Sequence, residues 1–136
     1  MATLHHDVIV AAKADRIWDA VRDVGALHTR LVPGFVVDTR LEGETRVVTF
    51  GNGMTVREPI VSADDERRRL AWTAQGGGTT HYNAVLEVFD EGAKSRVVWT
   101  IDLLPHDAAG PVGAMQRQGL EVLKATLEKA EGSRVS

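Results

Sequence analysis

The order of hydrophobic and polar residues changes period along the chain, and each change predicts an element. Leu4 to Val10 reads as a strand that ends in the β-branched run Val8-Ile9-Val10. From Ala14 to Val24 the spacing becomes helical. Ile17, Trp18, Val21 and Val24 fall on one stripe, Asp15 sits in the first turn and Gly25 can stop the helix. Ala26 to Val32 predicts a second short helix with Leu27 and Leu31 on one side, broken by Pro33-Gly34.

Between Phe35 and Leu104 the texture is strand, turn, strand. The predicted strands are Phe35 to Leu41, Thr45 to Phe50, Met54 to Ser62, Arg67 to Ala74, Thr80 to Phe89 and Ser95 to Leu104. Their connections are short and rich in Gly, Asp and Asn, and Gly51-Asn52-Gly53 contains the Asn-Gly pair that favours hairpins. Connections this short force antiparallel neighbours. With the first strand the count is seven. Ala108 to Lys129 then reads as one long helix. Val112, Met115, Gly119, Val122 or Leu123, and Thr126 or Leu127 line one face, with Gln116, Arg117, Glu121, Lys124 and Glu128 mostly on the other. Gly132 to Ser136 reads as a loose tail.

This order predicts an α+β fold: a curved antiparallel sheet wrapped around the C-terminal helix, with two short helices after the first strand. A curled sheet closed by one helix leaves space between them unless large side chains fill it. The chain has only three Phe, three Trp and one Tyr to do so. Gly119 stands on the inner helix face, where it either leaves a cavity open or permits close helix–sheet packing. Under the first alternative, Gly119→Leu would be tolerated.

Alternation sorts the strand residues between the two faces. Met54, Val56, Glu58 and Ile60 share the more apolar face of their strand, which carries Glu58 inward. A bulge near Pro59 would instead release it to solvent. Leu70, Trp72 and Ala74 face inward on the next strand. Tyr82, Ala84, Leu86 and Val88 do so on the one after, and Val97, Trp99, Ile101 and Leu103 on the last. Greasy walls with a few directional groups are the usual make-up of a small-molecule site. Trp72 and Trp99 are cavity or ordinary core residues on this reading. As cavity residues they should report ligand entry, while Trp18 reports only folding. Replacing Glu58 by Gln is expected to leave folding nearly unchanged, or to improve it where the charge is poorly compensated, and to weaken ligand affinity or turnover.

Composition narrows the function classes. The chain of 136 residues is one domain's worth. It has no cysteine, which excludes disulfides, thiolate metal sites and a thiol nucleophile. Sixteen basic and nineteen acidic residues leave a net charge of −3, which argues against a nucleic-acid surface. No apolar run approaches the ~20 residues that span a bilayer. The segment Met1 to Asp7 lacks the pattern of a signal peptide, so the expected location is cytoplasmic. His5 and His6 point to opposite faces of a strand, and His28, His81 and His106 lie on separate elements, so neither a metal nor a cofactor is expected. The glycine runs lead into strands rather than helices and are not phosphate loops. Arg67-Arg68-Arg69, beside Asp64-Asp65-Glu66, reads as a solvated turn.

Three segments carry a resemblance. They are Ala14-Asp15-Arg16-Ile17-Trp18-Asp19-Ala20-Val21, the stretch from Arg57-Glu58-Pro59 to Arg69-Leu70, and His81-Tyr82-Asn83-Ala84. With the order of elements, they are similar to the START/Bet v1-like helix-grip superfamily (SRPBCC), which includes polyketide cyclase/dehydrase-like proteins, lipid-transfer domains and plant hormone receptors. The last two segments resemble the abscisic-acid receptors and their bacterial relatives. That resemblance implies that Glu58, Tyr82 and Trp72 face the ligand cavity. The receptors' gate-loop sequence is replaced here by Gly51-Asn52-Gly53, and their cavity lysine has no clear match, although Arg30 and His28 lie nearby. Neither hormone binding nor a phosphatase partner is therefore carried over.

Three functions compete: a binder or carrier of a small hydrophobic, lipid-like or polyketide-like ligand; a cyclase/dehydratase-type enzyme; and a protein-interaction module. In the second, Glu58 is the candidate catalytic acid or base, with Tyr82, Arg30 or His28 assisting. The candidate ligand-binding residues are Glu58, Trp72, Tyr82, Trp99, Met115, Gly119, Arg30 and His28. The expected partners are a small hydrophobic ligand and, for assembly, a second copy in a homodimer.

Overall fold

A computed structural model describes residues 2–135. Seven strands, β1 (Ala2–Val10), β2 (Val36–Glu42), β3 (Thr45–Phe50), β4 (Thr55–Asp64), β5 (Arg69–Thr73), β6 (His81–Glu91) and β7 (Lys94–Leu104), form one sheet in the order β1-β7-β6-β5-β4-β3-β2. Every neighbouring pair is antiparallel. Helix α1 (Ala14–Arg22) follows β1, and helix α2 (Ala109–Val135) closes the chain. This is the helix-grip arrangement.

The sheet curls at two bulges, which explain two otherwise odd exposed valines. Ile60 pairs with Trp72 and Ser62 with Ala71, so Val61 is the extra residue on β4. Val36 pairs with Phe50 and Asp38 with Thr49, so Val37 is the extra residue on β2. Each bulge turns its valine out to solvent and bends its strand. The β4 bulge lies beyond Glu58, so the alternation that carries Glu58 inward is intact up to Ile60. No register shift interrupts β7 against β1 or β6.

Helix α1 buries Ile17, Trp18 and Val21 against the core, and the Trp18 indole donates to Asp65 Oδ1 at 2.8 Å. Helix α2 buries Leu120, Leu123 and Leu127. Each of these leucines contributes about 1.5–3 kcal/mol by leaving water. Polar side chains fix where α2 lies. Lys124 Nζ donates to the Ile9 carbonyl at 2.6 Å, and Glu128 Oε2 accepts from the Ala11 amide at 2.8 Å. These contacts satisfy backbone groups where the ladder of β1 ends.

Several boundaries differ from expectation. The predicted second short helix is a 3-10 turn, Val24–Ala26, followed by a single π turn, Leu27–Leu31. Helix α1 stops at Arg22 rather than Val24. Gly132 to Arg134 are helical rather than a loose tail, and Ser136 lies outside the described residues. The loop Pro33-Gly34 presses so closely on the β3–β4 turn that a Cβ at Gly51 would sit 2.6 Å from the Gly34 carbonyl oxygen, so only glycine fits there. No helix among the described residues is long and apolar enough to cross a membrane.

Candidate functional site

A cavity of about 110 Å³ lies between the inner face of the sheet and α2. That is several times the roughly 10–15 Å³ that one water needs. Leu31, Phe35, Phe50, Leu70, Ile101 and Leu123 form apolar wall. Phe35 and Phe50 meet edge to face, with ring centroids 5.5 Å apart. The loop Gly76-Gly77-Gly78 borders the cavity with all three residues at positive φ, a backbone path that side chains rarely adopt. Of the predicted site residues, Glu58, Trp72, Tyr82, Trp99, Met115 and Gly119 line this cavity.

Its polar centre is an ion pair. Arg46 Nε donates to Glu58 Oε1 at 2.7 Å, and the two residues are only 3% and 6% exposed. The β3–β4 hairpin sets the pair: Arg46 and Glu58 are cross-strand partners, so their side chains leave the same face side by side. The Arg46 guanidinium also lies over the Trp72 ring, 5.0 Å from its centroid. The terminal guanidinium nitrogens and Glu58 Oε2 have no hydrogen-bond partner among the described residues. A buried pair adds little net stability against an apolar replacement, but removing one member strands the other charge in the interior.

Tyr82 stands close enough to feel both charges. Burial, and then the negative charge of Glu58, push its phenol far above the ordinary range, with Arg46 pulling the other way. Tyr82 therefore stays neutral and keeps its O–H to donate. That O–H makes no hydrogen bond with the described residues. Trp72 and Trp99 lie 6.1 Å apart between centroids, tilted by 43°. Both indole N–H groups are buried without partners.

The helix wall departs from expectation in two ways. Gln116, assigned to the outer face, is 1% exposed and lines the cavity, with Nε2 donating to the Trp99 carbonyl at 2.7 Å. Its Oε1 is buried without a partner. Gly119 lines the cavity, yet a Cβ there would lie 3.1 Å from the Trp99 ring and 3.2 Å from Phe35. It is a point of close packing, so the expected tolerance of Gly119→Leu is withdrawn.

Two candidates are not brought to the site. Arg30 turns outward, where its guanidinium meets Asp19 Oδ2 at 2.7 Å and Asp23 Oδ2 at 3.0 Å. The hydrogen bond from Arg30 holds the Asp19 carboxyl below its usual range. His28 is half-buried in the π turn, with Nδ1 unpartnered, and does not line the cavity. The π turn sends Leu27 and Leu31 to the cavity instead.

The two polar residues that sequence reasoning missed each had a signal. Arg46 and Glu58 are equidistant from Asn52, the centre of the hairpin turn, so they must pair across it. Gln116 heads the helical stripe that continues through Leu120, Leu123 and Leu127.

The model of a family described as polyketide cyclase/dehydrase and lipid transport matches residues 1–128. No curated protein sequence matches. The crystal structure of an uncharacterised protein from Bacillus thuringiensis superposes with a TM-score of 0.84 at 18% identity, covering 93% of this chain and 98% of that one. A solution structure from Thermobifida fusca gives 0.77 at 28% identity, covering 100% and 96%. The Zhui aromatase/cyclase from Streptomyces gives 0.75 at 19% identity, covering 99% and 96%.

Proposed function

The chain belongs to the polyketide cyclase/dehydrase and lipid transport family, and from that membership we propose that it binds one small, largely apolar, uncharged molecule in its cavity, with an oxygen of that molecule held by Arg46 and Tyr82. The observation that carries this reading is a buried, mutually neutralised Arg46–Glu58 pair set in a largely apolar cavity lining. Arg46 has donors to spare and Tyr82 has an unused one, so the wall presents N–H and O–H groups to an acceptor such as a ketone. The pair is already neutral, so a carboxylate ligand would bring a charge with nothing to balance it in a low-dielectric site.

A second reading rests on the convergence of three groups on that wall. In a cyclase-type enzyme, the free Glu58 oxygen would take a proton from the carbon beside a bound ketone. Arg46 and Tyr82 would stabilise the enolate oxygen until that carbon adds to the carbon of a second carbonyl, whose π pair moves to its oxygen and takes back the proton from Glu58 to leave a hydroxyl. The Zhui aromatase/cyclase shares this fold and supports keeping the reading.

The test uses two probes on one bicyclic frame, tetralin and its ketone α-tetralone. Titrations followed by tryptophan fluorescence should show α-tetralone binding more tightly. In Tyr82→Phe that preference should shrink about three- to tenfold, the effect of one hydrogen bond. Equal binding of the two probes, or none, contradicts the proposal. Loss of turnover but not of binding in Glu58→Gln, with a poly-β-ketone substrate, would favour the enzyme.

A further inference from the structure

The unmet hydrogen-bonding capacity of this cavity is not all on the sheet. Gln116 projects from α2 at a position that the leucine stripe marks as core, and it is 1% exposed. Its orientation is fixed, because Nε2 donates to the Trp99 carbonyl at 2.7 Å and the flipped amide would set two oxygens against each other. Oε1 is thereby left as an acceptor with no partner. Buried polar atoms are nearly always satisfied, and an orphan in the lining of a cavity calls for an occupant that supplies what is missing. The indole N–H groups of Trp72 and Trp99 are orphaned around the same cavity.

The two walls therefore ask for opposite chemistry. The sheet wall, with Arg46 and Tyr82, offers donors and takes an acceptor. The helix wall, with Gln116, offers an acceptor and takes a donor. A ketone oxygen satisfies the first and cannot satisfy the second. A hydroxyl on the same molecule satisfies the second, and its lone pairs remain free to accept from an indole N–H.

Resting on the proposed function above, we infer that the ligand is a hydroxy-ketone on an apolar frame, with its hydroxyl donating to Gln116 Oε1 and its ketone at Arg46 and Tyr82. Gln116 is on this account a specificity-determining residue: it selects the oxygenation pattern rather than the apolar body. A site that holds an unpaired polar atom discriminates strongly between a molecule that pairs it and one that does not.

The experiment is a calorimetric titration with tetralin, α-tetralone and the positional isomers of aromatic-ring-hydroxylated α-tetralone. At least one isomer should bind about fivefold or more tighter than α-tetralone. In Gln116→Leu, which continues the leucine stripe, the affinity ratio of that isomer to α-tetralone should fall to about one. Gln116→Met provides the same comparison if the leucine variant is poorly folded. A preference for α-tetralone over tetralin with no gain from any hydroxyl would mean that buried water satisfies Gln116. That result overturns this inference and leaves the proposed function standing. A gain that survives both Gln116 variants also overturns it. No discrimination between tetralin and α-tetralone removes the proposed function and this inference together.

Discussion

Two arginines bind carboxylates in this protein under opposite conditions. At the corner formed by α1 and the π turn, Arg30 meets Asp19 and Asp23 with side chains 40%, 62% and 46% exposed. On the β3–β4 wall, Arg46 meets Glu58 with side chains 4% and 8% exposed. The distances are alike, 2.7 Å in each case for the shorter contact. Water screens the first pair and competes for its hydrogen bonds, so its net contribution is small. The second pair has little water near it, and each charge depends on the other. Identical contacts thus differ in consequence, and only the inner pair has unused donors beside an apolar cavity.

The sharpest way to break this contrast is to remove one inner charge. Arg46→Met should cost about 3 kcal/mol in a denaturant titration, because Glu58 is left buried alone. The double variant Arg46→Met/Glu58→Met should recover most of that loss. If the two single losses simply add, the pair is uncoupled and the contrast fails. Glu58→Gln, expected from sequence to leave folding nearly unchanged, should instead cost about 2 kcal/mol, since the Arg46 guanidinium loses its charged acceptor.

A smaller effect asks whether the interior around the pair is tight enough to enforce it. Gly119→Leu must displace the Trp99 or Phe35 ring and should cost about 1–3 kcal/mol by overpacking. An unchanged melting temperature would mean that the rings move freely.

The smallest effect belongs to the outer pair. Arg30→Met should lower the melting temperature slightly, and added salt should erase the difference. The pH dependence has a definite sign. Arg30 lowers the Asp19 pKa from its usual 3.8, so that contribution is present above about pH 4 and is lost as pH falls through the lower folded value. Wild type and Arg30→Met should therefore differ near neutrality and converge in acid. A difference that widens in acid would contradict the assignment.

The same contrast explains what could be read from the sequence. Strand alternation depends only on backbone geometry, so Glu58, Trp72, Tyr82 and Trp99 could be placed inside without knowing their partners. Arg30 enters the candidate site as a neighbour of the position where the resembling receptors carry a cavity lysine. Its direction, however, is set by Asp19 and Asp23 on and just after α1, a tertiary fact. Arg46 carries no such local signal, because an arginine on a strand ordinarily reaches solvent. The pairing about Asn52 overrides that tendency, as the leucine stripe does for Gln116. Gly119 was ambiguous because one sequence position cannot say whether rings close over it.

On the proposed reading, the ligand's oxygen meets Arg46 and not Arg30. The most direct test follows the arginine Nε–H and tryptophan Nε1–H resonances of the ¹⁵N-labelled protein during titration with α-tetralone. Saturable shifts are expected at Arg46, Trp72 and Trp99, with Arg30 and Trp18 unmoved. Shifts at Arg30 or Trp18 with Arg46 and the cavity indoles unmoved would contradict it.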